Sequence, residues 1–331
     1  MTDFVEKGDI FFFYRPKVDA KKVKNLDDVQ RLYMILVPDD ADMARMFLVG
    51  KKRMPAIVEG EQTSTAREWM INDLTGKPKT VGEALVPLEY ETKTRGEREQ
   101  GEAIPVAEGR YAIFERDYSS RLAYRLTSPE KPHRAQSELG IMAEASYVIS
   151  VRNPAIDVPG FPDAKPDYPQ YLQEKFTEKR WIDIDDSRLL DHENAQLLLI
   201  GAHDDLSDEG ISITGKPDLF KTLGLNKQEW PTDALKAGKL VASQMQPESR
   251  EPEGDPSKGG ARGGQAARQT DSAAGIAEAL KGVDLPCRKA DLLKQAKANH
   301  ASEEIIEVIN ELPSRQYKTM TDIQKAFGKV R

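Results

Sequence analysis

Between Ser243 and Ser272 the chain all but stops using large apolar side chains, and from Gln246 it reads QPESREPEGDPSKGGARGGQAARQTDS. A stretch crowded with Gly, Pro and charge cannot bury enough surface to offset the cost of ordering it, about 1–2 kcal/mol per residue for the backbone alone. This predicts a disordered tether over 243–272, joining an N-terminal domain of residues 1–242 to a C-terminal module of residues 273–331. The length of 331 residues agrees with two units, at roughly 100–200 residues per domain. Charge divides the same way: 4 basic and 5 acidic residues fall in the tether, and 10 basic and 8 acidic in the module. With a net charge of -7 for the whole chain, the N-terminal part carries about -8 and the module about +2. No repeat recurs at a fixed period, which argues against a solenoid or propeller.

Several classes are excluded early. Mean hydropathy is -0.60 and no apolar run approaches the roughly 20 residues that a spanning helix needs, so no membrane partner is expected. The opening MTDFVEKGD has no basic segment followed by a cleavable apolar one, and the expected location is the cytoplasm. The single cysteine, Cys287, has no partner for a disulfide, a zinc pair or a redox pair. Net acidity argues against general coating of nucleic acid while leaving room for a local basic patch.

The N-terminal part is rich in strand signals. Ile10 to Tyr14, Tyr33 to Val37, Met46 to Val49 and Leu197 to Ile200 are short continuous apolar runs, as in strands buried on both faces. Tyr111 and Ile113, then Leu122, Tyr124 and Leu126, then Tyr147, Ile149 and Val151 alternate, as half-buried antiparallel strands do. The break Asp117-Tyr118-Ser119-Ser120 between the first two fits a hairpin loop. Helical spacing predicts helices over Thr65 to Leu74, stopped by Gly76, and after Asp167 and Pro169 through Tyr171, Leu172 and Phe176. Strands outnumber helices and do not alternate with them. The expected class is therefore α+β, with a mainly antiparallel sheet or partly closed barrel carrying inserted helices.

The C-terminal module reads as a small helical bundle. Leu292, Leu293 and Ala296 mark one helix, and Ile276 with Leu280 another, closed by Gly282. Ser302 caps a third, whose Ile305, Val308, Ile309 and Leu312 share a face before Pro313 ends it. Thr319 to Asp322 has capping-box spacing ahead of Ile323, Ala326 and Phe327. Leu280-Lys281-Gly282, Leu285-Pro286, Lys289, Leu292-Leu293, Leu312-Pro313, Arg315 and Tyr317 together resemble a bacterial family of short helical modules of unknown function. The resemblance covers Leu280 to Gly328; Leu285 stands where that family usually has an aromatic, and His300 where it usually has Gly. It implies a bacterial source and a small helical fold, and no activity. In the N-terminal part FFFYRPKV, DDVQRLY and ASYVISVRNP are similar to uncharacterised bacterial proteins of the same layout.

Candidate sites are few. Asp183, Asp185, Asp186, Asp191, His192 and Glu193 crowd one stretch and His203, Asp204, Asp205 and Asp208 another, yet neither has a metal-ligand spacing. A strand rim and a turn explain them more simply, so no metal and no cofactor is assigned. Cys287 sits beside Arg288 and Lys289 near a helix start, a setting that lowers a thiol pKa, but no base is paired with it. Gly259 to Gly264 lies in the tether, without the strand and helix that a phosphate loop requires. Arg15-Pro16-Lys17 and Lys51-Lys52-Arg53 follow apolar strands and are candidates for a shared anion site. Arg288, Lys289, Lys294, Arg315, Lys318 and Lys325 are the candidate contacts for nucleic acid or a partner.

The expected function is a non-enzymatic binding or adaptor protein, in which a β-rich domain is tethered to a helical docking module for a protein partner. A flexible tether of about 30 residues spans roughly 30 Å root-mean-square. Two alternatives stand beside this reading. One is a nucleic-acid-binding or regulatory protein that uses the basic module; the other is a metal-dependent enzyme in which His192 or His203 faces Asp183 or Asp185.

Overall fold

A computed structural model describes residues 3–18, 20, 22–58, 64–92, 96–158 and 160–244, and in the C-terminal part 280, 283, 287–299, 306, 309–310, 312–313, 316–317 and 323. The chain divides into two compact units, Met1–Arg250 and Glu251–Arg331.

The apolar runs of the first unit become strands of one barrel. They are β1 (Phe4–Pro16), β2 (Val29–Pro38), β3 (Ala44–Val49) and β4 (Arg67–Gly76); after helix α1 (Pro78–Glu83) and a separate hairpin of β5 (Leu88–Thr92) and β6 (Gly96–Gln100) come β7 (Ile104–Arg116) and β8 (Ser119–Ser128). Helix α2 (Arg134–Glu138), β9 (Glu144–Arg152), α3 (Gln170–Gln173), β10 (Trp181–Ile182) and β11 (Gln196–His203) follow, and α4 (Leu219–Leu223) and α5 (Asp233–Ala237) complete the unit. The ladder runs β9-β11-β4-β3-β2-β1-β7-β8, and β8 pairs with β9 to close it. Every pairing is antiparallel, and β10 continues the line of β8 along the far part of β9. Closure removes the exposed edges that an open sheet would present.

Side-chain alternation sets what faces inward. On β1, Ile10, Phe12 and Tyr14 join an inner cluster with Met34, Phe47, Tyr124 and Tyr147. Phe11 and Phe13 point outward, yet they are equally buried, because Val81, Leu85, Leu219, Phe220, Leu223 and Trp230 cover that side of the barrel. This double coverage is why FFFY is an unbroken apolar run rather than an alternating one. Burying one such side chain stabilises the fold by about 1.5–3 kcal/mol.

Both ends of the barrel are covered. Where β3 begins and β4 finishes, the β9–β11 connection brings Tyr168, Leu172, Phe176, Leu189 and Leu190 onto the inner cluster. Where β1 finishes, Leu240, Val241 and Ala242 pack against it. That second cover is held by Tyr14, whose hydroxyl donates to the Val241 carbonyl at 2.9 Å and accepts from the Val241 amide at 2.7 Å. Tyr14→Phe strips both partners from Val241 and is expected to cost about 1–3 kcal/mol. Denaturant unfolding checks the loss, and faster hydrogen exchange at the Val241 amide locates it.

The barrel consists of two four-stranded meanders, β1-β2-β3-β4 and β7-β8-β9-β11, joined first strand to first and last to last. Sequence follows the same division. Leu74-Thr75-Gly76-Lys77-Pro78 leads into α1, and Ile213-Thr214-Gly215-Lys216-Pro217 leads into α4. The two helices pack on each other closely enough that a Cβ on Gly82 would collide with the Leu223 carbonyl. The unequal insertions between the strands explain why no fixed period is visible in the sequence.

One expected helix is a strand. Residues 65–74, read as helical, contribute most of β4, which pairs with β3 and β11. Met46 pairs with Leu74 and Phe47 with Asn72, so a bulge inserts Asp73. The extra residue switches Leu74 to the outer face while Met70 faces inward, and this produces a spacing of four that imitates a helix. The hairpin at Asp117-Tyr118 forms as expected, with positive φ of 51° and 58° at the two turn residues. Helix α3, continued by a 3-10 turn over Glu174–Phe176, meets the second helical expectation.

In the second unit, β12 (Cys287–Arg288) pairs with β13 (Gln316–Tyr317), and α6 (Lys289–Ala298) follows β12 directly. Leu280, Cys287, Leu292, Ala296, Ile309, Leu312, Tyr317 and Ile323 form one buried cluster. The Asp291 carboxylate accepts from the Arg288 amide at 2.9 Å and so satisfies a free donor at the start of α6. The tether expected over 243–272 lies outside the described residues except for Ser243 and Gln244, which Glu102 holds through the Ser243 hydroxyl and the Gln244 amide. No helix among the described residues is long and apolar enough to cross a membrane.

Candidate functional site

Helix α6 sorts its side chains by spacing. Leu292 and Ala296, four apart, are fully buried, and on the opposite side Lys294 and Lys297, three apart, are exposed. Arg288 is exposed at the N-terminal boundary of the helix. Lys289 is half-buried and its ammonium donates to the Asn310 carbonyl, which ties the helix start to a neighbouring segment. Of the six expected contacts, Arg288 at the end of β12 and Lys294 on α6 are therefore exposed, and Lys289 is engaged within the unit. Arg315, Lys318 and Lys325 lie outside the described residues. Tyr317, from the same sequence stretch as Arg315, is buried and donates to the Pro313 carbonyl at 2.8 Å.

Cys287 does not have the character of an activated thiol. It is 4 % exposed, and burial pushes its pKa up, with the Asp291 charge adding to the rise. The neighbouring Arg288 and Lys289 do not reverse that direction.

In the two basic segments that follow strands, Arg15 and Lys52 are taken up by backbone carbonyls. Arg15 is 2 % exposed, and its guanidinium donates to the carbonyls of Gly101 at 2.5 Å and Ala84 at 2.9 Å. The Lys52 ammonium donates to the Val29 carbonyl at 2.8 Å, and Lys51 lies 3.9 Å from Glu68. These cations hold loops to the barrel rather than awaiting a ligand.

The acidic and histidine residues separate in space. Asp183 accepts from the Ser120 amide at 3.3 Å, Asp185 pairs with Lys175 at 2.9 Å, and Asp186 takes Arg188 at 2.7 Å while capping the 3-10 turn that follows. The Arg188 hydrogen bonds hold the Asp186 carboxyl below its ordinary range. His192 packs its ring edge against Tyr168 at a centroid distance of 5.0 Å. His203 lies 4.0 Å from Asp208 and 3.9 Å from Glu209. Neither histidine meets Asp183 or Asp185, and no three His, Cys, Asp or Glu among the described residues form a group that could hold a metal.

Sequence reading missed the strongest electrostatic feature of the barrel. Arg45, 2 % exposed, donates from Nη1 and Nη2 to Glu6 at 2.7 and 2.9 Å and from Nε to Asp191 at 2.7 Å. Tyr111 adds its hydroxyl to the same Glu6 carboxylate at 2.5 Å. Burial opposes the Arg45 charge, but the hydrogen bonds and charge of Glu6, followed by Tyr111 and Asp191, more than reverse this and raise its pKa. Arg45 is the first polar position of an otherwise apolar strand, and its partners lie 39 and 146 residues away. Only the preceding Ala44 and the inward phase of Phe47 hinted that it points into the barrel. Each of its three nitrogens is engaged, and the cluster locks one end of the barrel.

Comparison with known proteins finds a similarity in part of the second unit. A family described as a protein of unknown function (DUF2795) matches residues 271–324. No curated protein and no solved structure matches the chain.

Proposed function

We propose that this is a non-enzymatic bacterial binding or adaptor protein, in which the barrel is a rigid body and the C-terminal unit a small helical docking module carried on the tether expected over 243–272. The observation that carries the reading is the division of labour on α6. Its apolar side is spent on the unit's own core, and Lys294 and Lys297, with Arg288 at the helix boundary, are left pointing outward. A surface of this kind suits an acidic patch on a protein partner, through charge-assisted contacts at the rim of an interface. The barrel supports the same reading, because its interior is filled by its own aromatic and aliphatic side chains. Tethering raises the local concentration of a partner without any new contact. The expected site of action is the cytoplasm.

The outward cations also favour a second reading, nucleic-acid binding. The full-length protein titrated with mixed duplex and single-stranded DNA at low and moderate salt separates the two. Protein docking predicts weak binding that Arg288→Glu/Lys294→Glu leaves unchanged. Nucleic-acid recognition predicts binding that weakens steeply with salt, by roughly 0.9 in log–log slope per duplex phosphate contacted, and that the double variant abolishes. The second result replaces the proposal with the alternative.

A further inference from the structure

Outside α6, one concavity on the barrel unit gathers basic side chains from three distant parts of the chain. Lys24 comes from the loop before β2, His133 and Arg134 from the start of α2, and Lys239 from the segment after α5. They surround a cavity of about 650 Å³ whose apolar floor includes Val23 and Leu240. No carboxylate of the described residues lines it. Asp28 accepts from the Lys24 backbone amide at 2.8 Å.

Several arginines of the barrel unit are neutralised locally. Arg45, Arg110, Arg116, Arg125 and Arg188 each meet a carboxylate within 3.1 Å. The ammonium groups of Lys24 and Lys239 and the imidazole of His133 meet none among the described residues, and Arg134 is bonded to the Lys24 carbonyl at 2.9 Å. The wall is also built rather than loose. Gly238 has φ +60° and approaches His133 so closely that a Cβ would collide with it, and the Gly238 carbonyl accepts from the Ala135 amide at 2.9 Å. Cations that line one concavity without a carboxylate partner for their charged groups among the described residues repel one another, and a bound anion relieves that repulsion.

We propose that this concavity binds a phosphate-bearing small molecule. A phosphomonoester supplies up to two negative charges and several acceptor oxygens to the Arg134 fork, the two ammonium groups and the imidazole. Its organic part lies on the Val23 and Leu240 floor, and the volume falls within the 300–1,000 Å³ range of small-molecule sites. The site is independent of the docking face on the C-terminal unit.

Calorimetric and phosphorus NMR titration of the full-length protein tests this, with inorganic phosphate, glucose 6-phosphate and adenosine 5′-monophosphate as probes, citrate as a non-phosphate anion, and a single-stranded oligonucleotide. The expected result is saturable binding of at least one phosphomonoester, tighter than citrate and inorganic phosphate. It should weaken at least tenfold in Lys24→Gln/Lys239→Gln and stay unchanged in Lys221→Gln, an exposed lysine elsewhere. All three substitutions change solvent-exposed side chains, and an unchanged melting temperature verifies the fold. Absence of saturable binding by every phosphate probe, or binding that the double variant leaves intact, overturns the proposal. Phosphate affinity equal to that of citrate reduces the site to unspecific charge, and an oligonucleotide that competes as the tighter ligand replaces the small molecule with nucleic acid; either result also overturns it.

Discussion

Arg45→Met is expected to destabilise the barrel by about 3–5 kcal/mol, the loss typical of removing one partner from a buried ion pair. The reason is the group left behind. Glu6 is only 8 % exposed and takes two hydrogen bonds from Arg45, so without the guanidinium its charge stays in a nearly dry site with Tyr111 as its remaining partner. Asp191, 27 % exposed, loses less because water reaches it. The double variant Arg45→Met/Glu6→Gln removes the stranded charge and is expected to recover much of the loss, since replacing both members of a buried pair is often close to neutral. Urea unfolding of the two variants measures both numbers. A loss below about 1 kcal/mol in the single variant would show that the cluster behaves like a surface salt bridge.

The second large effect is expected from Phe12→Ala, at about 3–5 kcal/mol. Phe12 is completely buried in the inner cluster, with its ring edge-on to Tyr124 at 5.3 Å. The walls of a closed barrel cannot collapse far into the space a phenyl ring leaves, so both the transfer loss and the cavity loss are felt. For a unit of this size each kcal/mol moves the melting temperature by roughly 2–4 °C, which puts the shift on the order of 10 °C. Tyr118→Ala is the matched control. That side chain is 96 % exposed at a hairpin tip, and its loss should stay within about 0.5 kcal/mol. Equal losses at the two positions would contradict the assignment of the barrel interior.

Much of the barrel was legible in the sequence because each strand buries at least one face. Ile10 to Tyr14 reads as a strand because inner Phe12 and outer Phe11 and Phe13 are all covered. Tyr147, Ile149 and Val151 read as one because their alternation survives unbroken along β9. The pattern failed at β4, where the bulge at Asp73 shifted Leu74 to the other face and replaced a period of two by a helical spacing. The closure of β8 onto β9 and the join of β1 to β7 are long-range pairings that no local period encodes. The same holds for charge. Arg15 and Lys52 looked free in sequence because backbone carbonyls are invisible partners there, and in the fold those carbonyls take them. Lys24, Arg134 and Lys239 were not singled out because nothing local brings three separate segments to one wall. Lys294 was legible as an outward residue because it lies out of phase with Leu292 and Ala296 on a single helix, whereas Arg288 shares their spacing and is exposed because it lies in β12, ahead of the helix.

The docking claim is tested most directly by using the full-length protein and its Arg288→Glu/Lys294→Glu/Lys297→Glu variant as paired baits in nuclease-treated extract of the source cells, with quantitative recovery of what each retains. The account predicts an acidic protein partner that survives nuclease treatment on the unchanged protein, falls at least tenfold on the variant, and binds again when purified and titrated alone. Identical recovery on the two baits, or a partner that disappears with nuclease, would contradict it.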